Sequence, residues 1–254
     1  MALSPAERLL QELGITEPKE IDLHAIAYYV GARIRLRPLD GCDAHILGCG
    51  DQALITIKAD SSPRRKRFSI AHELGHWRHH RGKSLVCRAD EYRPRDAMSP
   101  EKVADGYAAD LLMPRYIFGP LARLQRRLTF DAIQQLADLF NTSVTATAIR
   151  LMDLDHTPAV VISHGPGGRN WFARAPSVPR RWFPRQELDA DSFAFGVQFG
   201  GRPDDPMPRK IGADSWFDRA EADRYLVHEQ TVRTGPRETL SLVLITDDLM
   251  LEDR

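Results

Sequence analysis

The chain has 254 residues, a formal net charge of zero and 43% hydrophobic residues, which predicts a soluble globular protein of more than one domain. Zero net charge gives no support for non-specific attraction to nucleic acid or membranes, and no apolar run approaches the roughly 18–20 residues of a membrane span. The first residues lack a signal-peptide pattern, and three sparse cysteines (Cys42, Cys49 and Cys87) are typical of the reducing cytoplasm, where we expect the protein.

The N-terminal part has the pattern of a small α+β unit. Ser4, Pro5 and Glu7 form a capped helix start, and a second helix is predicted over residues 21–31. RIRLRPL and ALITIKA alternate apolar and polar residues and predict strands, with one further short strand within DGCDAHILGCGDQ.

The stretch FSIAHELGHW, residues 68–77, raises the question of a metal site. His72 and His76 are four residues apart, so on a helix they share a face and can both reach one Zn²⁺ at about 2.0–2.1 Å. Glu73 is rotated off that pair and is the candidate general base for a metal-activated water. The bare motif also occurs by chance, but the apolar neighbours favour a metal site. Gly75 within this helix indicates a close approach of another backbone, such as a substrate-binding edge strand.

A catalytic zinc needs a third protein ligand. The position six residues after His76 is Gly82, which excludes the metzincin arrangement. A carboxylate from a following helix, the gluzincin arrangement, has six candidates: Asp90, Glu91, Asp96, Glu101, Asp105 and Asp110. Glu101 is favoured because it lies in the first turn of a helix with a capping Ser99. Asp105, one turn later, is the candidate to accept the free ring N–H of a metal-binding histidine.

Several other residues near the motif have open roles. We interpret His79 and His80 as histidines that contact a ligand residue or face solvent, not as ligands themselves. Tyr107, His79 and His80 are the candidates for stabilising an oxyanion. Cys87 is interpreted as an idle or buried thiol rather than a redox gate. Mn²⁺ is an alternative to Zn²⁺ for the same donor set.

The remaining chain divides into a helical and a strand-rich part. TFDAIQQLADLFNTSVTATAIRLMDL predicts two helices around residues 141–143, with helix-turn-helix spacing. We do not expect direct DNA reading, because Thr145, Ala146 and Thr147 occupy the start of the second helix. Beyond residue 155, strands are predicted at PAVVISH, NWFARA, SFAFGVQF, RYLVHEQTV and TLSLVLIT, as in an α+β sensor-like domain.

Two ordered motifs, RRKRFSIAHELGHWRHH and EKVADGYAADLLMP, resemble the ImmA/IrrE metallopeptidases. The resemblance implies that His72, His76 and Glu101 bind zinc and that Glu73 is the general base. Similarity to the larger, IrrE-like members implies three parts: a zincin-like, gluzincin-type peptidase domain (1–114), a helix-turn-helix-like segment (115–156) and a GAF-like α+β domain (157–254).

The resemblance also implies a function. Known members are cytoplasmic and cleave a cognate XRE-type helix-turn-helix repressor once, which releases the genes of a stress or DNA-damage response. The substrate is expected to bind as an extended strand, with ALITIKA as the candidate sheet edge. The alternative is a non-proteolytic stress regulator that binds DNA or a partner protein through its middle and C-terminal parts. In either case we expect a monomer without membrane contact.

Overall fold

A computed structural model describes residues 2–80 and 99–252, and it confirms the mixed α+β class. None of the helices in these two ranges is long and apolar enough to cross a bilayer. The helices are α1 (Pro5–Glu12), α2 (Leu23–Tyr29), α3 (Pro63–His79), α4 (Pro100–Leu112), α5 (Arg115–Arg123), α6 (Phe130–Phe140), α7 (Val144–Leu154), α8 (Phe193–Gln198) and α9 (Asp248–Leu251). The strands are β1 (Ala32–Arg37), β2 (Ala44–Cys49), β3 (Gln52–Lys58), β4 (Ala159–Gly165), β5 (Gly168–Arg174), β6 (Arg209–Gly212), β7 (Leu226–Gly235) and β8 (Glu238–Ile245).

The first sheet has the strand order β1-β3-β2, with β1 parallel and β2 antiparallel to β3. The expectation that ALITIKA forms an edge is therefore wrong, because this segment is β3, the central strand. Its residues are buried on both faces, and Ile55, Thr56 and Ile57 have no exposed surface.

Helix α3 rests against β2, β3 and α4. Ser62 caps its start by accepting a hydrogen bond from the Arg65 amide, and Pro63 occupies the first helical position. A β-carbon on Gly48 of β2 would lie 2.9 Å from the ring of Trp77, so the strand packs tightly against this helix. The Trp77 indole N–H in turn donates to the Val30 carbonyl at 2.8 Å.

Helix α4 begins at the predicted cap, where the Ser99 hydroxyl accepts from the Lys102 amide. It approaches α3 at Gly75, where a β-carbon would lie 2.8 Å from the Cα of Ala104 and 3.0 Å from its carbonyl oxygen. The close approach expected at Gly75 is therefore present, but its partner is the backbone of a helix rather than an edge strand.

The two helices predicted around residues 141–143 are α6 and α7, and Asn141 between them has a positive φ of 51°. The chain forms two compact units: Met1–Leu121 with Ala137–Ser143, and Ala122–Leu136 with Val144–Arg254. The three-part division drawn from the sequence stays a prediction.

The second sheet is antiparallel throughout, in the order β5-β4-β8-β7-β6. Four of the five predicted strands are confirmed, but SFAFGVQF is wrong: it forms α8. Its first turn is fixed by two groups, the Ser192 hydroxyl and the buried carboxylate of Glu229, which accepts from the amides of Phe193 and Ala194. The short strand β6 (RKIG) was not predicted, because four residues carry too little alternation.

Candidate metal centre

Three side chains from α3 and α4 meet at one point. His72 Nε2 lies 3.1 Å from Glu101 Oε2, and His76 Nε2 lies 3.4 Å from Glu101 Oε1. The two Nε2 atoms are 3.0 Å apart. Among the described residues, His72, His76 and Glu101 form a group whose ligand atoms all lie within 4.8 Å of one another.

The donor spacing fits a small divalent ion. With bonds of about 2.0–2.1 Å, adjacent donors of a tetrahedral zinc are separated by about 3.3 Å. The three distances in this group, 3.0, 3.1 and 3.4 Å, lie close to that separation. Two imidazole nitrogens and one carboxylate are also a donor set that zinc accepts, and such a set leaves a fourth position for a reacting molecule.

The other ring nitrogen of His72 is held by a second carboxylate. His72 Nδ1 lies 2.8 Å from Oδ1 of Asp105, which is one turn after Glu101 on α4. His72 Nε2 also faces a carboxylate, that of Glu101, so it is metal binding at Nε2 that would place the proton of a neutral His72 on Nδ1, where Asp105 accepts its hydrogen bond. The Nε2 lone pair is then directed into the three-residue group and is available to a metal ion.

The group is enclosed on one side and open on the other. The His76 side chain has no exposed surface and that of His72 is 13% exposed, whereas 38% of the Glu101 side chain remains accessible. Hydrogen bonds from His72 and then from His76 hold the pKa of Glu101 well below its usual range, against the opposing effect of partial burial. Glu101 is therefore an anion at neutral pH, with access from solvent.

Glu73, the candidate general base, follows His72 directly on α3 and is fully buried. A carboxylate enclosed beside two imidazoles is costly to place, since charge burial is unfavourable without compensating interactions. Its catalytic role stays a prediction.

The three candidates for oxyanion stabilisation occupy different places. His80 Nδ1 lies 3.3 Å from Nδ1 of His76. The rings of His79 and Tyr107 pack edge to face with centroids 5.7 Å apart. Tyr107 also lines a cavity of about 200 Å³ together with Arg8 and other residues, none of which belongs to the three-residue group. Burial raises the pKa of Tyr107 to about 12. The oxyanion role stays a prediction for all three.

Five residues of the sequence analysis lie outside the described residues: Gly82, Cys87 and the acidic candidates Asp90, Glu91 and Asp96. Asp110, the remaining acidic candidate, is on α4 but is not part of the group with His72 and His76.

The arrangement was compared with known proteins. No match was found among curated proteins. A solved structure described as a Mycobacterium tuberculosis transcriptional regulator is similar over 96% of this chain and 75% of its own, with a TM-score of 0.60 and 17% identity. At that identity the similarity concerns the fold alone. The model of the Peptidase_M78 family, described as the IrrE N-terminal-like domain, matches residues 28–152. This range includes both motifs, so the match confirms the resemblance. The chain therefore belongs, over residues 28–152, to the Peptidase_M78 family of IrrE N-terminal-like domains.

Proposed function

We propose that this chain is a zinc-dependent endopeptidase of the gluzincin type that cuts a cognate XRE-type helix-turn-helix repressor once, in a stress or DNA-damage response. The family supports a metallopeptidase-type fold and a metal, typically zinc. The observation that carries the proposal is the convergence of His72, His76 and Glu101 from two helices onto one point.

In this proposal His72, His76 and Glu101 hold the metal, and Asp105 fixes the tautomer of His72. Zn²⁺, or Mn²⁺ in the same donor set, would supply Lewis acidity for the scissile carbonyl and the attacking water. Glu73 would accept a proton from the attacking water and deliver it to the leaving amine.

The substrate strand is proposed to pair with β2. Both β1 and β2 are edges of the first sheet, but β1 carries exposed arginines at alternate positions (Arg33, Arg35 and Arg37). Charged side chains on an edge strand discourage the addition of another strand. The second half of β2, residues 47–49, is uncharged. Its Leu47 is 52% exposed, and Gly48 packs against helix α3. An extended peptide on β2 would therefore run beside the helix that carries HELGH.

The non-proteolytic alternative has less support. In the second helix of the helix-turn-helix-like segment, Thr147 has no exposed surface and Arg150 is only 3% exposed. A DNA-reading helix instead presents amide and basic side chains to the groove. The helix-turn-helix-like and GAF-like parts, the three-part division, the monomeric state and the cytoplasmic location remain proposals.

The deciding experiment is co-expression of the chain with a helix-turn-helix repressor encoded beside its gene. The fragments of the repressor are then analysed by electrophoresis and mass measurement. We expect a single cut with the wild-type chain. Glu73→Gln should retain one metal ion per chain but give no cut, whereas His72→Ala should lose both metal and cleavage. A repressor that stays intact with the metal-loaded wild type, or a cut that survives in Glu73→Gln, would contradict the proposal. An operator-DNA shift by the chain alone would favour the alternative.

A further inference from the structure

We infer that His80 is a positioning residue for the metal centre: its Nδ1 accepts a hydrogen bond from the Nδ1–H of His76 and so directs the Nε2 lone pair of His76 to the metal. The inference rests on the proposed function, because it concerns the same centre. It gives His80 a role in metal binding that is distinct from that of a ligand or an oxyanion donor.

The first step is the orientation of the His76 ring. Its Nε2 faces His72 Nε2 at 3.0 Å and Glu101 Oε1 at 3.4 Å, so this nitrogen belongs to the three-residue group. Its Nδ1 is on the opposite side of the ring and lies 3.3 Å from His80 Nδ1. His76 is 1% exposed, so solvent has little access to either nitrogen.

The second step is the direction of the hydrogen bond. A neutral imidazole carries one proton, and a nitrogen that binds a metal must present its lone pair. If His80 donated to His76 Nδ1, the His76 proton would be on Nε2 and would block the metal. Metal binding therefore requires His76 Nδ1–H as the donor and His80 Nδ1 as the acceptor, with the proton of His80 on its own Nε2.

The third step is the local structure that makes this contact available. His80 follows the last residue of α3, and its amide still donates to the His76 carbonyl at 2.8 Å. The side chains at 76 and 80 are thus one turn apart, with ring centroids separated by 5.4 Å. His79, at the neighbouring position, instead packs against Tyr107.

Each metal-binding histidine then has its own acceptor. Asp105, from α4, holds His72, and His80, the C-cap residue of α3, holds His76. Loss of such an acceptor typically lowers metal affinity 10–100-fold, because the ligand ring is free to rotate or to adopt the wrong tautomer.

The test measures Zn²⁺ affinity by competition with a chromogenic chelator, at fixed pH, for the wild-type chain, His80→Ala, His80→Gln and His79→Ala. We expect His80→Ala to weaken affinity by about 10–100-fold, and His80→Gln, whose amide oxygen can accept a hydrogen bond, to recover most of this loss. His79→Ala is the matched control and should leave affinity unchanged. Thermal melts of all variants without metal separate loss of folding from loss of affinity.

Two spectroscopic measurements complete the test. In the zinc-loaded wild type, a hydrogen-bonded imidazole N–H proton of His76 should be visible by NMR and should disappear in His80→Ala. With Co²⁺, the absorption bands of His80→Gln should match those of the wild type, because the ligand set is unchanged. Equal affinities of His80→Ala and wild type, no recovery by His80→Gln, or a Co²⁺ spectrum that loses a nitrogen ligand would each overturn the inference. A wild-type chain that binds no metal would instead defeat the proposed function.

Discussion

A β-carbon on Gly75 would lie 2.8 Å from the Cα of Ala104, closer than two carbon atoms can approach without displacement. This contact sets the distance between α3 and α4. On the same pair of helices, His72 meets Glu101 at 3.1 Å and Asp105 at 2.8 Å. The absence of one methyl group at Gly75 is therefore a condition for the candidate metal centre.

Gly75→Ala is expected to move α4 away from α3, because its new methyl group meets main-chain atoms of Ala104 that cannot rotate away. Overpacking of this kind costs about 1–3 kcal/mol in the free energy of unfolding. Displacement by a few tenths of an ångström should also weaken zinc binding, since the donors come from both helices. Urea unfolding and chelator competition measure the two effects.

The matched control is Gly106→Ala on α4, where a β-carbon would have no heavy atom within 4 Å. Alanine stabilises an open helical position by roughly 0.5–1 kcal/mol relative to glycine. The two variants should thus change stability in opposite directions. If Gly75→Ala also stabilised the chain and bound zinc normally, the close approach would not be a constraint on the centre.

Removal of the metal should lower the melting temperature, and Glu101→Ala should abolish that difference. A metal that binds only the folded state stabilises it by about 2.7 kcal/mol at a free concentration of 100 times its dissociation constant. Differential scanning calorimetry with and without Zn²⁺ would detect the shift. Asp110→Ala on the same helix removes a carboxylate outside the three-residue group and should preserve the zinc-dependent shift.

Glu229 is expected to be the most sensitive carboxylate of the second sheet. It is fully buried and accepts from the amides of Phe193 and Ala194 and from the indole N–H of Trp216. Glu229→Ala leaves these donors buried without their acceptor, at about 1–3 kcal/mol for each unsatisfied group. Glu229→Gln keeps one acceptor oxygen and should cost less.

The exposed Glu238, at the start of β8, provides the comparison for Glu229. Glu238→Ala should change the free energy of unfolding by no more than about 0.5 kcal/mol. If tryptophan-monitored urea unfolding gave equal losses for Glu229→Ala and Glu238→Ala, the carboxylate of Glu229 would not be needed to hold the first turn of α8.

His164 on β4 predicts a pH dependence of stability. It is 1% exposed, its ring lies beside Trp216, and neither ring nitrogen has a well-aligned hydrogen-bond partner among residues 2–80 and 99–252. Burial, and next the charge of Arg169, lower the pKa of His164 to about 4, against a smaller opposing effect of the Arg185 backbone. The folded chain therefore binds this proton less readily than the unfolded chain, whose histidine has a pKa of about 6.5.

The contribution of neutral His164 to the free energy of unfolding is therefore fully present above about pH 6.5. It is lost as the pH falls towards 4, and the total loss is roughly 3 kcal/mol. His164→Leu cannot titrate, so the difference in unfolding free energy between wild type and variant should shift in favour of the variant over this range. Urea unfolding at a series of pH values measures it. A pH-independent difference between wild type and His164→Leu would refute the lowered pKa of His164.

Local sequence patterns alone determined much of the candidate metal centre. The spacing of His72 and His76, the cap at Ser99 and the turn from Glu101 to Asp105 depend only on helix geometry and on residues within a few positions of each other. The same reasoning predicted seven of the eight strands found in residues 2–80 and 99–252. It failed at SFAFGVQF, where the alternating pattern fits a strand and the helix depends on Glu229, a residue 36 positions away from the Phe193 amide that it binds.

Only the tertiary structure decided how these elements meet. Strand order is a long-range property, so the sequence placed ALITIKA at an edge, whereas pairing with β1 and β2 makes it the centre and gives β2 the edge beside α3. Gly75 predicted a close approach of another backbone. The partner backbone is that of α4, where the small side chain of Ala104 allows the two helices to come close. The ring orientations of His76 and His80 likewise depend on packing, since helix spacing fixes which side chains are neighbours and not which nitrogen atoms face each other.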